Sequence, residues 1–435
     1  MKIPQALDNK TSSPVQRQTV AMLPRTVLLV IVAASQMVPL GFCCTTDWRG
    51  SCDAAGWNVR VESCPCDNTS CTTVYCDSLA GAIGYVQEHY QRASVTIDLC
   101  SSCSFELEAN STIDNSNVER LYLSGNGSVV DCTRNVSVTF SGKMNVTIES
   151  ITFKNCSTKG TLRFVNVFGY QDITLAHFEG SGLSFLNVSG TVSISNTTIS
   201  GLHVHKSLDH ISALYVNSKL SYGDAGLVFS LTNCSIVDNI NVNETTAMEE
   251  MTRGTGMFLY LKRARNSNHF FINNCTFANN VAYLGGSISV LTSSASDTEV
   301  DIRDSVFRGN KAEIGSATDF YCAQTPVNKQ INETCLRVVI RDSHFARNEP
   351  FTHIMQMGSS TVCVKYTELE LNGKIVFYKN NGSAIASEES DIFVNRDSNI
   401  TFTGNVAQRG AGLNLFGSFV HIYRNTEIKF YTTER

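Results

Sequence analysis

Three groupings in the 435-residue chain have residue types and spacings that could do chemistry. The first is sulfur. Cys64-x-Cys66 and Cys100-Ser-Ser-Cys103 invite metal or redox readings. A zinc site wants two Cys-x-x-Cys elements, and one is present. A dithiol redox motif should open a helix, whereas Cys100 closes the strand-like Val95-Thr-Ile-Asp-Leu99. Disulfides are therefore expected here, among Cys52, Cys64, Cys66, Cys71, Cys76, Cys100 and Cys103. The second grouping is His203-x-His205 with Asp209 and His210. Alternate strand residues point the same way and could share a metal, but a polar insert is the simpler expectation. The third is Ile302-Arg-Asp-Ser and Ile340-Arg-Asp-Ser. Arg303, Asp304, Arg341 and Asp342 could make a small face for an anion or an acidic glycan. They could equally be a solvated surface, weakly destabilised by like-charge stacking. No metal or cofactor is expected.

The elements that must position these groups are repeats. An Ile or Leu is followed five residues later by Phe or Ile, and three later again usually by Asn. The frame fits Ile148/Phe153/Cys156, Ile173/Phe178/Ser181, Ile194/Ile199/Leu202 and Leu231/Ile236/Asn239. It fits again at Ile272/Phe277/Asn280, Ile302/Phe307/Asn310 and Ile340/Phe345/Asn348, with weaker copies at Phe377/Asn380 and Phe402/Asn405. Successive central residues lie 25, 21, 37, 41, 30, 38, 32 and 25 apart, a spread that suits bare coils alternating with loop-bearing ones. Each unit alternates apolar and polar residues with period two, which specifies strands. One coil cannot bury its own apolar face. Stacking puts Phe on Phe and Ile on Ile about 4.8 Å apart, with strands pairing in parallel. Gly285-Gly286, Gly315-Ser316-Ala317 and Gly410-Ala411-Gly412 suit tight corners.

Two columns follow from the register. Cys234 and Cys275 each stand three residues after the aligned Leu or Ile. Neighbouring coils would bring them within disulfide range, so they are expected to bond or to sit as stacked buried thiols. Cys322 and Cys335 flank a polar insert that they could staple; Cys132, Cys156 and Cys363 have no assignable partner. Two residues after the aligned Ile or Leu come Asn196, Asn233, Asn274, Asp304 and Asp342. This column is expected as an internal hydrogen-bond ladder, although its three Asn are also glycosylation sequons and an outward column could carry glycan.

Phe277-x-x-Asn280 before Gly-Gly-Ser-Ile resembles the repeat of the chlamydial polymorphic outer membrane proteins, as do Phe307-x-x-Asn310 and Phe402-x-x-Asn405 with their Gly-Ser-Ala and Gly-Ala-Gly-Leu. Leu123–Cys132 running into Asn145-Val-Thr-Ile-Glu-Ser-Ile-Thr-Phe153 resembles the pectin-lyase-like β-helix proteins. The likeness covers roughly 110–435. It implies a right-handed parallel β-helix, with adhesion or surface display in the first group and carbohydrate cleavage in part of the second. The cleavage motifs Asn-Thr-Asp, Asp-Asp, Gly-His-Gly, Arg-Ile-Lys and Arg-x-Pro-x-x-Arg are all absent. The catalytic part of the resemblance therefore fails, and an enzyme is not expected.

The remaining features concern location. Residues 1–43 form a polar leader and an apolar stretch with the character of a signal peptide or signal anchor. Residues 44–110, with half of the cysteines, are expected as an N-terminal cap with one helix starting at Asp77 or Ser78. Trp48 and Trp57 would sit in its small core. Residues 111–435 form the expected solenoid, ending in a fresh strand as a truncated product or fragment would. Sixteen cysteines suit an oxidising compartment. The sequon candidates for glycan are Asn68, Asn110, Asn126, Asn135, Asn145, Asn155, Asn187, Asn243, Asn332, Asn381 and Asn399. A net charge of −5 disfavours nucleic-acid binding. The expected role is an extracellular, glycosylated, non-catalytic scaffold for adhesion or for a glycan or protein ligand. A carbohydrate-active enzyme or a passive spacer are the alternatives. Membrane contact is expected only through a signal anchor or a missing C-terminal segment.

Overall fold

The computed structural model describes residues 59–431, apart from 65–71, 77, 90–92, 115–117, 133–135, 206–210, 219–225, 243–251, 262–266, 294–296, 324–334 and 351–358. All of these lie in one compact unit, Cys43–Arg435. The described residues form an all-β solenoid of parallel strands with one helix among them.

A typical coil has three strands, for example Asn268–Asn273, Thr276–Ala278 and Ile288–Ser293. Stacked coils give three faces. The first runs from Ala93–Leu99 to Phe419–Ile422, the second from Ser104–Leu107 to Glu427–Tyr431, the third from Ser111–Asp114 to Leu413–Phe416. In the early coils one long strand, such as Val118–Cys132, serves the first two faces. The register expected from the repeats is found. Ile173, Ile194, Leu231, Ile272, Ile302, Ile340 and Leu371 are successive partners on the first face. On the second face Phe277, Phe307, Phe345, Phe377, Phe402 and Phe430 stack with ring centroids 4.8–5.2 Å apart. These rings are buried through Phe402, so each coil completes the core of the one before it.

Three changes of direction per coil need backbone that extended residues cannot supply. Left-handed residues stand at the described corners. Between the first and second faces they are Leu175, Asn196, Asn233, Asn274, Asp304 and Asp342, with φ of 45–53°. Asn and Asp tolerate this conformation better than other side chains, which explains the composition of the column. Gly285 shows why glycine is needed where the chain turns toward the third face: φ is 58°, and a Cβ there would meet the Ile288 carbonyl oxygen at 2.4 Å.

At the N-terminal end, Val59–Cys64 pairs antiparallel with both Thr72–Cys76 and Ala93–Leu99, which covers the first parallel edge. The helix Leu79–His89 buries Leu79, Ala82, Ile83 and Val86. Its N-cap is Ser78, whose hydroxyl accepts the Gly81 N–H at 3.0 Å.

The cysteines settle as follows. Cys100–Cys103 and Cys322–Cys335 are disulfides, and Cys132, unassigned from sequence, bonds to Cys156 with Cα atoms 4.7 Å apart. That pairing was hidden because the partners sit on neighbouring coils but one position out of register. Cys234 and Cys275 are buried thiols, the second of the two expected outcomes. They share a corner column with Thr197, Ser305 and Ser343, and donate to the Ile194 and Leu231 carbonyls at 3.5 and 3.4 Å. Their mutual hydrogen bond and burial raise the Cys275 thiol above its ordinary range. Cys363 is a thiol beside Asp319, pushed up mainly by burial. Cys76 is buried. Cys52, Cys66, Cys71, Trp48 and Trp57, and the side chain of Cys64, lie outside the described residues.

Candidate functional site

The internal ladder expected of the corner column is found in a different column. The column Asn196, Asn233 and Asn274 is exposed, not internal. Its amides still join: Asn233 Nδ2 donates to Asn196 Oδ1 at 3.4 Å, and Asn274 Nδ2 to Asn233 Oδ1 at 2.8 Å. The left-handed corner turns these side chains outward. The internal ladder lies at the third position of the repeat, Asn239, Asn280, Asn310, Asn348, Asn380 and Asn405. In Asn310, Nδ2 donates to Asn348 Oδ1 and to the Phe277 carbonyl, both at 3.0 Å. Its Oδ1 accepts the Asn280 N–H at 3.0 Å and Asn280 Nδ2 at 3.2 Å. Every polar atom of the rung is satisfied while the residue is fully buried.

The outer surface of the first face carries the Arg-Asp elements. Arg303 and Arg341 are strand partners, as their repeat predicts. The like charges are reconciled by Asp301, which the sequence reading passed over. Arg303 Nε donates to both Asp301 carboxylate oxygens at 3.0 Å, and Arg341 Nε lies 3.5 Å from Asp301 Oδ1. These bonds hold the Arg303 guanidinium further above its usual range. Asp304 and Asp342 are corner residues that do not complete the set; Asp342 Oδ1 instead accepts the Lys374 N–H at 2.8 Å. One column over, Arg337 bonds Glu370 Oε1 through Nε at 2.8 Å and lies 3.2 Å from Glu299 and 3.5 Å from Glu368. Burial raises the Glu368 carboxyl and Arg337 opposes it. This end of the face is an interlocked ion network, with its guanidinium groups already engaged.

The other end of the same face differs. Ser94, Thr96, Arg120, Tyr122, Asn145 and Thr147 line a shallow trough of roughly 260 Å³ over the first coils. Tyr122 is 36% exposed, and its hydroxyl donates to Glu149 at 2.5 Å. That bond is the main reason its phenol titrates above the ordinary range. Tyr170, 44% exposed, stands beside Asn145. Arg120 makes no ion pair among the described residues. The alternation around Leu121 and Leu123 was enough to turn Arg120 and Tyr122 outward, but no motif singles them out.

A third polar group lies at the third face. Asp319 is buried and paired with Arg253 at 3.1 Å, with Ser289 Oγ donating at 3.3 Å. Burial raises the Asp319 carboxyl and the Arg253 guanidinium opposes this. No cluster of three or more His, Cys, Asp or Glu side chains is arranged to hold a metal among the described residues. His203 is exposed on a short strand; Asp209, His210 and the His205 side chain lie outside the described residues, as do Asn68, Asn135, Asn243 and Asn332. No described helix is long and apolar enough to cross a membrane.

Comparison with protein-family models, curated proteins and solved structures returned no match to this chain.

Proposed function

We propose that the chain is an extracellular, glycosylated β-solenoid of the right-handed parallel β-helix type, acting as a non-catalytic scaffold for adhesion or ligand binding. The observation that carries this reading is the state of the first face. Its residues repeat in register over many coils, as an extended ligand requires, and its arginines and carboxylates bind one another instead of converging on a reacting centre. The disulfides between and beside coils support an oxidising compartment. The resemblance of the Phe-x-x-Asn repeats to surface-display β-helices supports the same reading. Fold alone assigns no ligand, so the site must be tested directly.

The test uses the full chain purified from a secretory host. It is incubated with a panel of acidic and neutral polysaccharides, with and without calcium, while binding and new chain ends are recorded together. Binding without new ends is the expected result. Calcium-dependent cleavage would overturn the non-catalytic reading. Absence of both would leave a protein ligand, to be sought by the same binding assay with cell-surface proteins.

A further inference from the structure

We propose that Asn145 carries an N-linked glycan whose first sugar seats in the trough on the first face, against Tyr122 and Arg120. The inference rests on the extracellular reading above, and the experiment below separates the two.

Both functional members of the sequon, Asn145 and Thr147, line the trough. They are alternate residues of Asn145–Lys154 and so project from the same side of the sheet. The Asn145 amide is fixed in one sense. Its Oδ1 accepts the Tyr170 N–H at 2.9 Å. Gly169 makes room for that oxygen, since a Cβ at 169 would meet Asn145 Oδ1 at 2.7 Å. The Nδ2 forms no hydrogen bond with a described residue, and the residue is exposed. Several other sequons are arranged the opposite way. Nδ2 of Asn126 donates to the Leu99 carbonyl at 2.9 Å, that of Asn155 to Asp131 at 3.0 Å, and that of Asn399 to Glu427 at 3.1 Å. At Asn145 the structure therefore anchors the oxygen and leaves the nitrogen to be substituted.

Size selects the occupant. Sites for drug-sized ligands run about 300–1,000 Å³, so a trough of roughly 260 Å³ suits one ring and not an extended chain. Tyr122 offers an aromatic surface to the C–H face of a sugar, and Arg120 offers uncommitted donors to its hydroxyl and acetamido oxygens. Ser94 and Thr96 add hydroxyls at the margin.

The bond is made by a polyprenyl-diphosphate-linked oligosaccharide donor. The Asn145 nitrogen attacks the anomeric carbon of the first N-acetylhexosamine, the C–O bond to diphosphate breaks, polyprenyl diphosphate leaves, and the amide releases one proton. The amide keeps its second N–H and its carbonyl, so the Tyr170 contact is preserved.

The test is glycopeptide mass spectrometry on the full chain from a eukaryotic secretory host. It is followed by timed release of each glycan from the folded protein by an amidase that cleaves the Asn–sugar bond. Asn145 is expected to be occupied and to release its glycan several-fold more slowly than the other occupied sequons. Tyr122→Ala should abolish that lag at Asn145 alone. Arg120→Ala should shorten it, and serves as the second variant if loss of the ring prevents folding. Thr147→Ala should remove the glycan without touching Asn145. Occupancy elsewhere but not at Asn145 would overturn the inference and leave the extracellular reading standing. So would release at Asn145 as fast as elsewhere. No occupancy at any sequon would overturn both.

Discussion

Two columns of asparagine run along this solenoid, and they have little in common beyond residue type. The column from Asn239 to Asn380 is buried, and Asn280, Asn310, Asn348 and Asn380 each make four side-chain hydrogen bonds to their neighbours. Asn196 to Asn274 is exposed, joined by single amide contacts, and held at its corner by a left-handed backbone. The first column is there because a coil's backbone N–H and carbonyl must be satisfied away from water. The second is there because Asn tolerates a positive φ. The same contrast recurs for charge. Arg253–Asp319 is a nearly buried pair, whereas Arg337 and its carboxylates lie on the surface. Interior polar contacts are indispensable to their coil; exterior ones are largely exchangeable with water.

The largest expected break is Arg253→Met. It strands a buried carboxylate and should cost about 3–5 kcal/mol at neutral pH, measured by chemical denaturation. The pH dependence gives the sign. The folded Asp319 carboxyl titrates above its unfolded value of about 3.9, so its contribution is full below that pH and is lost as pH rises through the folded pKa. Arg253 limits the loss. The substitution should therefore hurt most at pH 7 and much less near pH 4, where Asp319 takes up its proton.

Next is Asn310→Ala. It leaves the Asn280 N–H and the Phe277 carbonyl without their partner, at about 1–3 kcal/mol for each orphaned group. The matching change on the outer column, Asn274→Gly, keeps a residue suited to the corner and should stay within about 0.5 kcal/mol. Equal losses at 274 and 310 would erase the distinction between the columns.

The comparison can also be sharpened in the opposite direction. Gln171 is fully buried among the core residues of the early coils, and neither of its amide atoms has a partner among the described residues. A buried amide outside a ladder is a cost, so Gln171→Met should stabilise by about 1–2 kcal/mol by the same denaturation measurement. The smallest effect is expected at Arg337→Ala, about 0–1 kcal/mol and diminished further by salt, because its side chain is 44% exposed and water can replace it.

Much of this was legible in the chain. The Ile, Phe and Asn offsets carried the register, since period-two alternation and a fixed coil length leave few other ways to stack. Gly285 and Gly315 marked corners for the same reason. What was not legible depended on direction. The offset places Asn196 and Asn239 in columns, but only the corner φ decides which column faces in. Asp301 was overlooked because an outward strand position has no motif, and its importance comes from Arg303 and from Arg341 one coil away. Cys132 and Cys156 escaped for a similar reason, as the irregular early coils break the count that aligns the later ones. Arg120 and Tyr122 gain meaning only beside Asn145, which belongs to the next coil.

The most direct measurement is amide hydrogen exchange on the intact chain, compared with Asn310→Ala and Asn274→Gly. If buried rungs hold neighbouring coils together, Asn310→Ala should raise exchange at the Asn280 and Asn348 amides and in their adjoining strands, with the effect fading a coil or two away, while Asn274→Gly leaves the pattern unchanged. Equal, chain-wide loss of protection in both variants, or none in either, would contradict the account.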